Sequence, residues 1–180
     1  MTASEPYTTP AIALHWLLAL AIVGMLALGT WMTSLPLSPL RLKLYNWHKW
    51  AGVLVLALSL LRLAWRLAHR PPAAVAMPAW QRRAAAASHA AMYGLFLAVP
   101  LAGWAYSSAA GFPVVLFGVW PLPDFVAADR ALAEAIRPLH RLLAWTLAAL
   151  AALHVAAALH HQFVLRDGLL ARMWPARRRR

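Results

Sequence analysis

Four long apolar windows constrain the fold of this chain more than any other feature. They run over about Pro10 to Met32, His48 to Leu67, Ala84 to Ser107 and His140 to Leu165. Each is long enough to cross the roughly 30 Å hydrocarbon core of a bilayer at about 1.5 Å per helical residue. Prolines are concentrated between the windows, in LPLSP, RPPAAVAMP and GFPVV to WPLPD, where they would disrupt a spanning helix. We therefore predict four transmembrane helices, over about 10–32, 48–68, 84–108 and 138–165.

The composition agrees with a membrane protein. Of the 180 residues, 63% are hydrophobic and 12% are charged, a balance outside the range of ordinary soluble domains. We predict an all-α, integral membrane four-helix bundle that forms a single domain over 1–180 and contacts lipid. The first span lacks the charged leader and cleavage site of a signal peptide, so we expect it to be retained. The absence of cysteine excludes disulfides and thiolate metal sites.

The positions of the basic residues predict the orientation of the chain. Eleven of the 17 Lys and Arg residues flank the second connection or the C-terminal tail: Arg62, Arg66, Arg70, Arg82, Arg83, Arg166, Arg172 and Arg177 to Arg180. By the positive-inside rule these ends, and with them both termini, are cytoplasmic. The formal net charge of +12 could indicate nucleic-acid binding, but basic residues beside apolar spans are more simply topology anchors. We expect no nucleic-acid partner.

The histidines of the spans fall at two predicted depths. His154 follows His140 by 14 residues, which places it about 21 Å deeper in the membrane at helical rise. The rotation between them is about 40° short of four full turns, so both lie on nearly the same face of the helix. His48 lies near the outer end of the second helix and His15 near the cytoplasmic end of the first. The sequence thus predicts an outer pair, His48 with His140, and an inner pair, His15 with His154.

Paired imidazoles from facing helices are typical axial ligands of an iron porphyrin in a bundle interior. We therefore predict two bis-histidine haems. A lone membrane histidine can instead form a hydrogen bond across helices, and imidazole also suits a bare zinc, copper or nickel ion. The scarcity of acidic residues within the spans argues against transport of a divalent cation.

Several further residues are candidates at these levels. His89 opens the third helix at the inner level and could replace His15 or His154 as a ligand. His161 is too far from His154 to bind the same iron, but it could serve a quinone as a hydrogen-bond donor and proton route. Its alternative is a boundary histidine that faces headgroups. We expect no special role for His160 or His69.

Basic side chains are candidates for binding the haem carboxylates. Arg62 lies 14 residues after His48, within the membrane, where arginine usually meets an anion. A propionate of the inner haem would satisfy it, although the side chain could also extend to the interface. On the outer side Arg141, with Lys49 and Arg137, could serve the other haem or attract a small anion.

The histidine motifs resemble those of bacterial cytochrome b561. The resemblance runs from His15 to Pro175 through ALHW, WHKWAG, RLAWRL, SHAAMYG, LHVAAALHHQF and RDGLLARMWP. It implies a bacterial inner-membrane cytochrome with two haem b groups, held by His15, His48, His140 and His154, that exchanges electrons with membrane quinone. One branch of the family resembles a superoxide oxidase, which oxidises superoxide to dioxygen and reduces ubiquinone. The alternative is an electron relay or membrane anchor for another redox protein, without superoxide activity.

These expectations define a predicted path. Electrons from superoxide or another donor enter at the outer haem, pass to the inner haem and reduce ubiquinone at a site containing His161 and Arg62, with protons drawn from the cytoplasm. The sequence contains no nucleophile–base arrangement, phosphate loop or paired carboxylates, so hydrolysis and phosphoryl transfer have no support.

Overall fold

Four long α-helices form nearly the whole of the described structure. The computed structural model describes residues 6–73 and 75–174. The helices are α1 (Thr9–Ser34), α2 (Pro39–Ala68), α3 (Ala79–Ala109) and α4 (Arg130–His160). All four are long and apolar enough to cross a membrane. The predicted all-α fold with four candidate membrane spans is confirmed.

Three helices begin earlier than their apolar windows. At α2 the Ser38 side chain accepts a hydrogen bond from the backbone of Arg41, and Pro39 occupies the first turn, where its missing N–H has no cost. α3 begins at Ala79. At the start of α4 the Asp129 side chain accepts a hydrogen bond from Leu132 N. The predicted starts near 48, 84 and 138 were too late, because hydropathy marks the apolar stretch and not the cap.

The helices run up and down in chain order. α1 packs against α2, α2 against α3 and α3 against α4, as short connections between antiparallel neighbours require. One end of the bundle, the terminal end, holds the start of α1, the α2–α3 connection and the end of α4. The opposite end, the hairpin end, holds the α1–α2 turn and the α3–α4 connection with strands β1 (Val115–Leu116) and β2 (Trp120–Pro121).

The hydrophobic core is a thin layer to which all four helices contribute. Its buried members are Leu18 and Ile22 of α1, Val55 of α2, Met92 of α3 and Leu147 of α4. Leu147 lies halfway between His140 and His154 in sequence, so this layer separates the two histidine levels. Many other large apolar side chains of the spans are exposed on the outside of the bundle, where lipid would cover them.

A short C-terminal segment crosses the terminal end. α4 continues as a π-helical turn (His161–Leu165), and a 3₁₀ turn (Leu170–Met173) follows. Trp16 Nε1 donates to Met173 O at 2.8 Å, and Arg172 Nη2 donates to Ala73 O at 2.8 Å. Arg172 is only 5% exposed, so it joins segments of the protein at this end. The predicted anchors Arg177 to Arg180 lie outside the described residues.

The core layer predicts a contrast between two leucines of α1. Leu18 is 2% exposed and Leu20 is 70% exposed. We expect Leu18→Ala to lower the free energy of unfolding by about 2–5 kcal/mol, because it removes buried contacts and leaves a cavity. Leu20→Ala should change it much less. Thermal unfolding of both variants in the same detergent measures the difference, and equal losses would contradict this packing.

Candidate functional site

Two pairs of histidines face each other inside the bundle. His48 of α2 and His140 of α4 have ring centroids 6.3 Å apart and planes at 86°. His15 of α1 and His154 of α4 have centroids 6.2 Å apart and planes at 73°. The structure thus brings together both predicted pairs, and α4 contributes one imidazole to each.

The spacing within each pair suits two ligands on opposite sides of one metal ion. Imidazole–metal bonds of about 2.0–2.1 Å place the two ring centroids about 6 Å apart when the nitrogens lie on opposite sides. Among the described residues, no group of three or more His, Cys, Asp or Glu could hold a metal ion. The arrangement therefore favours a cofactor that supplies its own equatorial ligands over a bare ion.

Hydrogen bonding prepares His140 to bind a metal. Its Nδ1 lies 3.0 Å from Val99 O, and because a carbonyl only accepts, Nδ1 must carry the proton. The Nε2 lone pair is then available, which is the usual arrangement of a metal-bound histidine and its outer partner. In His48, Nδ1 is buried and has no hydrogen-bond partner within 6–73 and 75–174.

Glycines allow neighbouring helices to approach the His48–His140 pair. A Cβ added at Gly29 of α1 would lie 3.3 Å from His48 Cε1, and one at Gly103 of α3 would lie 3.0 Å from His140 Cε1. The second distance is shorter than van der Waals contact. Any larger residue at Gly103 would therefore displace His140 or α3 itself.

A cavity adjoins the same pair. It is lined by His48, Lys49 and His140 and by apolar side chains that include Ile22, Val55, Phe96 and Leu147. Its volume is about 100 Å³, far above the roughly 10–15 Å³ that one water requires. Its walls suit the face of an apolar ring system, with nitrogen ligands at hand.

The His15–His154 level contains a third imidazole. The His89 ring lies 5.4 Å from that of His154, centroid to centroid, with planes at 64°. His89 is thus at the predicted level and touches one of the predicted ligands. The His15–His154 separation nearly equals that of the other pair, whereas the His89–His154 separation is shorter, which favours His15 as the partner of His154.

Arg62 lies close to these three imidazoles. It is near enough to interact electrostatically with His15, His89 and His154. Its Nη1 donates to Ala11 O at 3.3 Å, and its guanidinium carbon lies 5.9 Å from the Tyr93 ring centroid. Neither ion pair found among the described residues includes Arg62. A cation at this depth without a carboxylate is suited to an anionic ligand.

His161 forms a separate pair with Asp167. Its Nδ1 lies 2.5 Å from Asp167 Oδ2, and Asp167 Oδ1 accepts from Leu169 N at 3.0 Å. Burial raises the pKa of Asp167, but these hydrogen bonds outweigh it and hold the pKa below its usual value. The contacts found for His161 do not include Arg62, the other residue of the predicted quinone site.

The predicted basic residues at the hairpin end differ in position. Lys49 Nζ donates to Phe112 O at 3.4 Å and Pro113 O at 3.2 Å, beside the cavity. Arg137 and Arg141 are exposed. Arg141 follows His140 by one residue and therefore lies about 100° around α4 from it, and its role at the haem stays a prediction.

Two residues of these sites were missed from the sequence. Asp167 precedes Gly168 in a tight turn after α4, and only its position six residues after His161 could have indicated the contact. Trp104 lines the cavity beside the His48–His140 pair but resembles the many other tryptophans of the chain.

Comparison with known proteins agrees with this geometry. The family model described as "prokaryotic cytochrome b561" matches residues 6–176. The chain is 35% identical over 173 residues to cytochrome b561 homolog 2 of Escherichia coli (strain K12), covering 94% of this chain and 91% of that protein. It is 31% identical over 180 residues to the probable superoxide oxidase CybB of Yersinia pestis, covering 97% and 98%.

The chain belongs to the prokaryotic cytochrome b561 family. A cytochrome b carries haem b, which needs axial nitrogen ligands, apolar walls and partners for its carboxylates. The described residues fit such a group, because the His48–His140 pair has the separation of axial ligands beside an apolar cavity and His140 has its Nε2 free. This cytochrome is therefore a multi-pass membrane protein with residues suited to haem b.

The glycine contacts predict a sharp contrast within α3 of the cytochrome. An added Cβ would meet His140 at Gly103 but nothing within 4 Å at Gly94. We expect Gly103→Ala to reduce haem content or to shift the absorption of haem at His140. Gly94→Ala should leave the spectrum unchanged, because a helical alanine there meets only open space. Absorption spectra of the purified variants test this, and identical spectra would contradict it.

Proposed function

We propose that this cytochrome is a dihaem superoxide oxidase, which transfers electrons from superoxide to ubiquinone. The observation that carries the two haems is the presence of two imidazole pairs, of nearly equal separation, at two levels of one bundle. The 31% identity to the probable superoxide oxidase of Yersinia pestis supports superoxide as the donor. His48 and His140 would hold one haem b, and His15 and His154 the other. When bound, a haem iron accepts and donates single electrons.

We place the chain in the bacterial inner membrane with the terminal end in the cytoplasm. Arg66, Arg70, Arg82 and Arg83 flank the α2–α3 connection at that end, and such residues favour the cytoplasmic side. The His48–His140 pair is then near the outer surface and the His15–His154 pair near the inner surface. Electrons would therefore cross the membrane from the hairpin end to the terminal end.

The hairpin end is suited to a small anionic donor. Lys49, Arg137 and Arg141 lie there, and the last two are exposed, whereas Arg130 is paired with Glu134. Such a cluster raises the local concentration of superoxide and speeds its approach. Two superoxide anions would lose one electron each and leave as dioxygen. Those two electrons and two protons would convert one ubiquinone to ubiquinol.

The terminal end is suited to quinone reduction. His161 is held by Asp167, which fixes the orientation of its ring and keeps a carboxylate beside it. An imidazole so placed would donate a hydrogen bond to a quinone oxygen and deliver a proton taken from the cytoplasm. Arg62, beside the His15–His154 pair, would bind a propionate of that haem or stabilise the reduced quinone.

The second candidate is an electron relay or membrane anchor for another redox protein. Two relatives are named only as cytochrome b561 homologs, with no donor in their names. A relay would bind the same haems but would not turn over superoxide. An assay of superoxide turnover therefore distinguishes the two functions, whereas an absorption spectrum of the haems does not.

Ligand variants test the cofactor assignment and the activity together. We expect the purified protein to hold two haem b groups and to reduce ubiquinone when superoxide is supplied. His140→Ala should lose one haem and this activity, because it removes an axial ligand. His69→Ala is the control, since His69 is exposed and stacks on Trp65. Haem content per chain and quinone reduction are the measurements.

The outcomes of this experiment are distinct. Two haems without superoxide-dependent turnover would replace the oxidase by the relay. A wild-type protein without haem, or a His140→Ala variant that keeps both haems with unchanged spectra, would contradict the ligand assignment. The loss of one haem in His89→Ala, with both haems retained in His15→Ala, would move the inner ligand to His89.

Adjacent histidines test the quinone site. We expect His161→Phe to slow ubiquinone reduction by about 10²-fold or more, the usual effect of losing a general acid, with both haems retained. His160→Phe should have little effect, because His160 is exposed and has no contact with Asp167 among those found. Steady-state rates with a saturating donor measure this, and equal rates for both variants would exclude His161.

A further inference from the structure

One indole N–H beside the His48–His140 pair is buried without a hydrogen-bond acceptor. Trp104 Nε1 and His48 Nδ1 are the two buried side-chain polar atoms without a partner among the described residues. An indole N–H can only donate, and proteins rarely bury such a donor unpaired. Trp104 lines the same cavity as His48, Lys49 and His140. A ligand bound in this cavity would supply the acceptor that the protein does not.

The protein groups around Trp104 do not provide that acceptor. Its ring lies 5.3 Å from that of Phe125, centroid to centroid, with planes at 75°. The Asp124 carboxylate accepts from Ser108 Oγ at 2.6 Å and interacts electrostatically with Lys49, and Trp104 Nε1 is not among its donors. The carbonyls of Phe112 and Pro113 accept from Lys49.

A positive charge lines the cavity with this donor. Lys49 follows His48 directly, and its two carbonyl partners hold its ammonium near the α3–α4 connection. Trp104 follows Gly103, which lies against His140. Both donors line the cavity beside the His48–His140 pair, and an ammonium with an N–H donor suits a carboxylate.

We propose that Trp104 and Lys49 form a carboxylate site that binds a propionate of the haem held by His48 and His140. The inference rests on the proposed haem binding and adds the residues that recognise the anionic edge. The propionates are the anionic acceptors of haem b, and the rest of the macrocycle is largely apolar. The site sets the rotation of that haem about its iron axis, with a propionate toward the hairpin end.

Haem and its dimethyl ester, in which both propionates lose their charge, provide a direct test. Full-length protein made in haem-deficient cells is titrated in detergent with each compound. The wild type should bind haem more tightly than the ester. Trp104→Phe and Lys49→Met should each reduce this preference about tenfold or more, the usual effect of losing a charge-assisted hydrogen bond, while affinity for the ester changes little.

A matched tryptophan and a second readout complete the test. Trp145→Phe is the control, because Trp145 of α4 is 53% exposed, and it should keep the wild-type preference. In Trp104→Phe the midpoint potential of one haem should shift while the other stays unchanged. Thermal unfolding of each variant identifies any general loss of folding.

The results separate this inference from the proposed function. Normal binding of both haems by Trp104→Phe, with an unchanged preference for haem over the ester, would overturn the carboxylate site and leave the dihaem proposal intact. Failure of the wild type to bind haem would overturn both. Equal losses for haem and ester in Trp104→Phe would assign Trp104 to packing alone and would also overturn the site.

Discussion

The spacing of two histidines on one helix organises the whole bundle. His140 and His154 lie on nearly the same face of α4, and each meets an imidazole from a different helix, α2 at one level and α1 at the other. α4 can supply an imidazole to both pairs only if α1 and α2 face it across the bundle, run in opposite directions and present their histidines at the matching depths. The up-and-down order of the chain supplies that arrangement. The proposed path of electrons across the membrane follows from it.

The packing between the two histidine levels is apolar. An apolar layer to which all four helices contribute lies between them, so the two proposed haem sites are separated by protein without charge. Glycines replace bulky side chains where α1 and α3 approach the His48–His140 pair. Cations lie beside each pair, Arg62 at one and Lys49 at the other, as the propionates of two haems would require.

The sequence predicted features that depend on periodicity and depth. Hydropathy located the spans, and the helical repeat placed His140 and His154 on one face, so both pairs could be anticipated. Helix starts were less accurate, because the caps at Ser38 and Asp129 lie outside the apolar windows. Through-space contacts left little sequence signal: Asp167 turns back onto His161, and the unpaired N–H of Trp104 depends on its neighbours. The predicted role of Arg141 at the haem rests on proximity in sequence alone and stays a prediction.

The electron paramagnetic resonance spectrum of the oxidised, purified protein tests the central claim most directly. The imidazole planes are nearly perpendicular in one pair and at 73° in the other. The account predicts two low-spin ferric signals, both with the large maximum g value that strongly crossed axial imidazoles produce. A single low-spin signal, a high-spin signal from five-coordinate iron, or a protein without haem would contradict two imidazole-ligated sites.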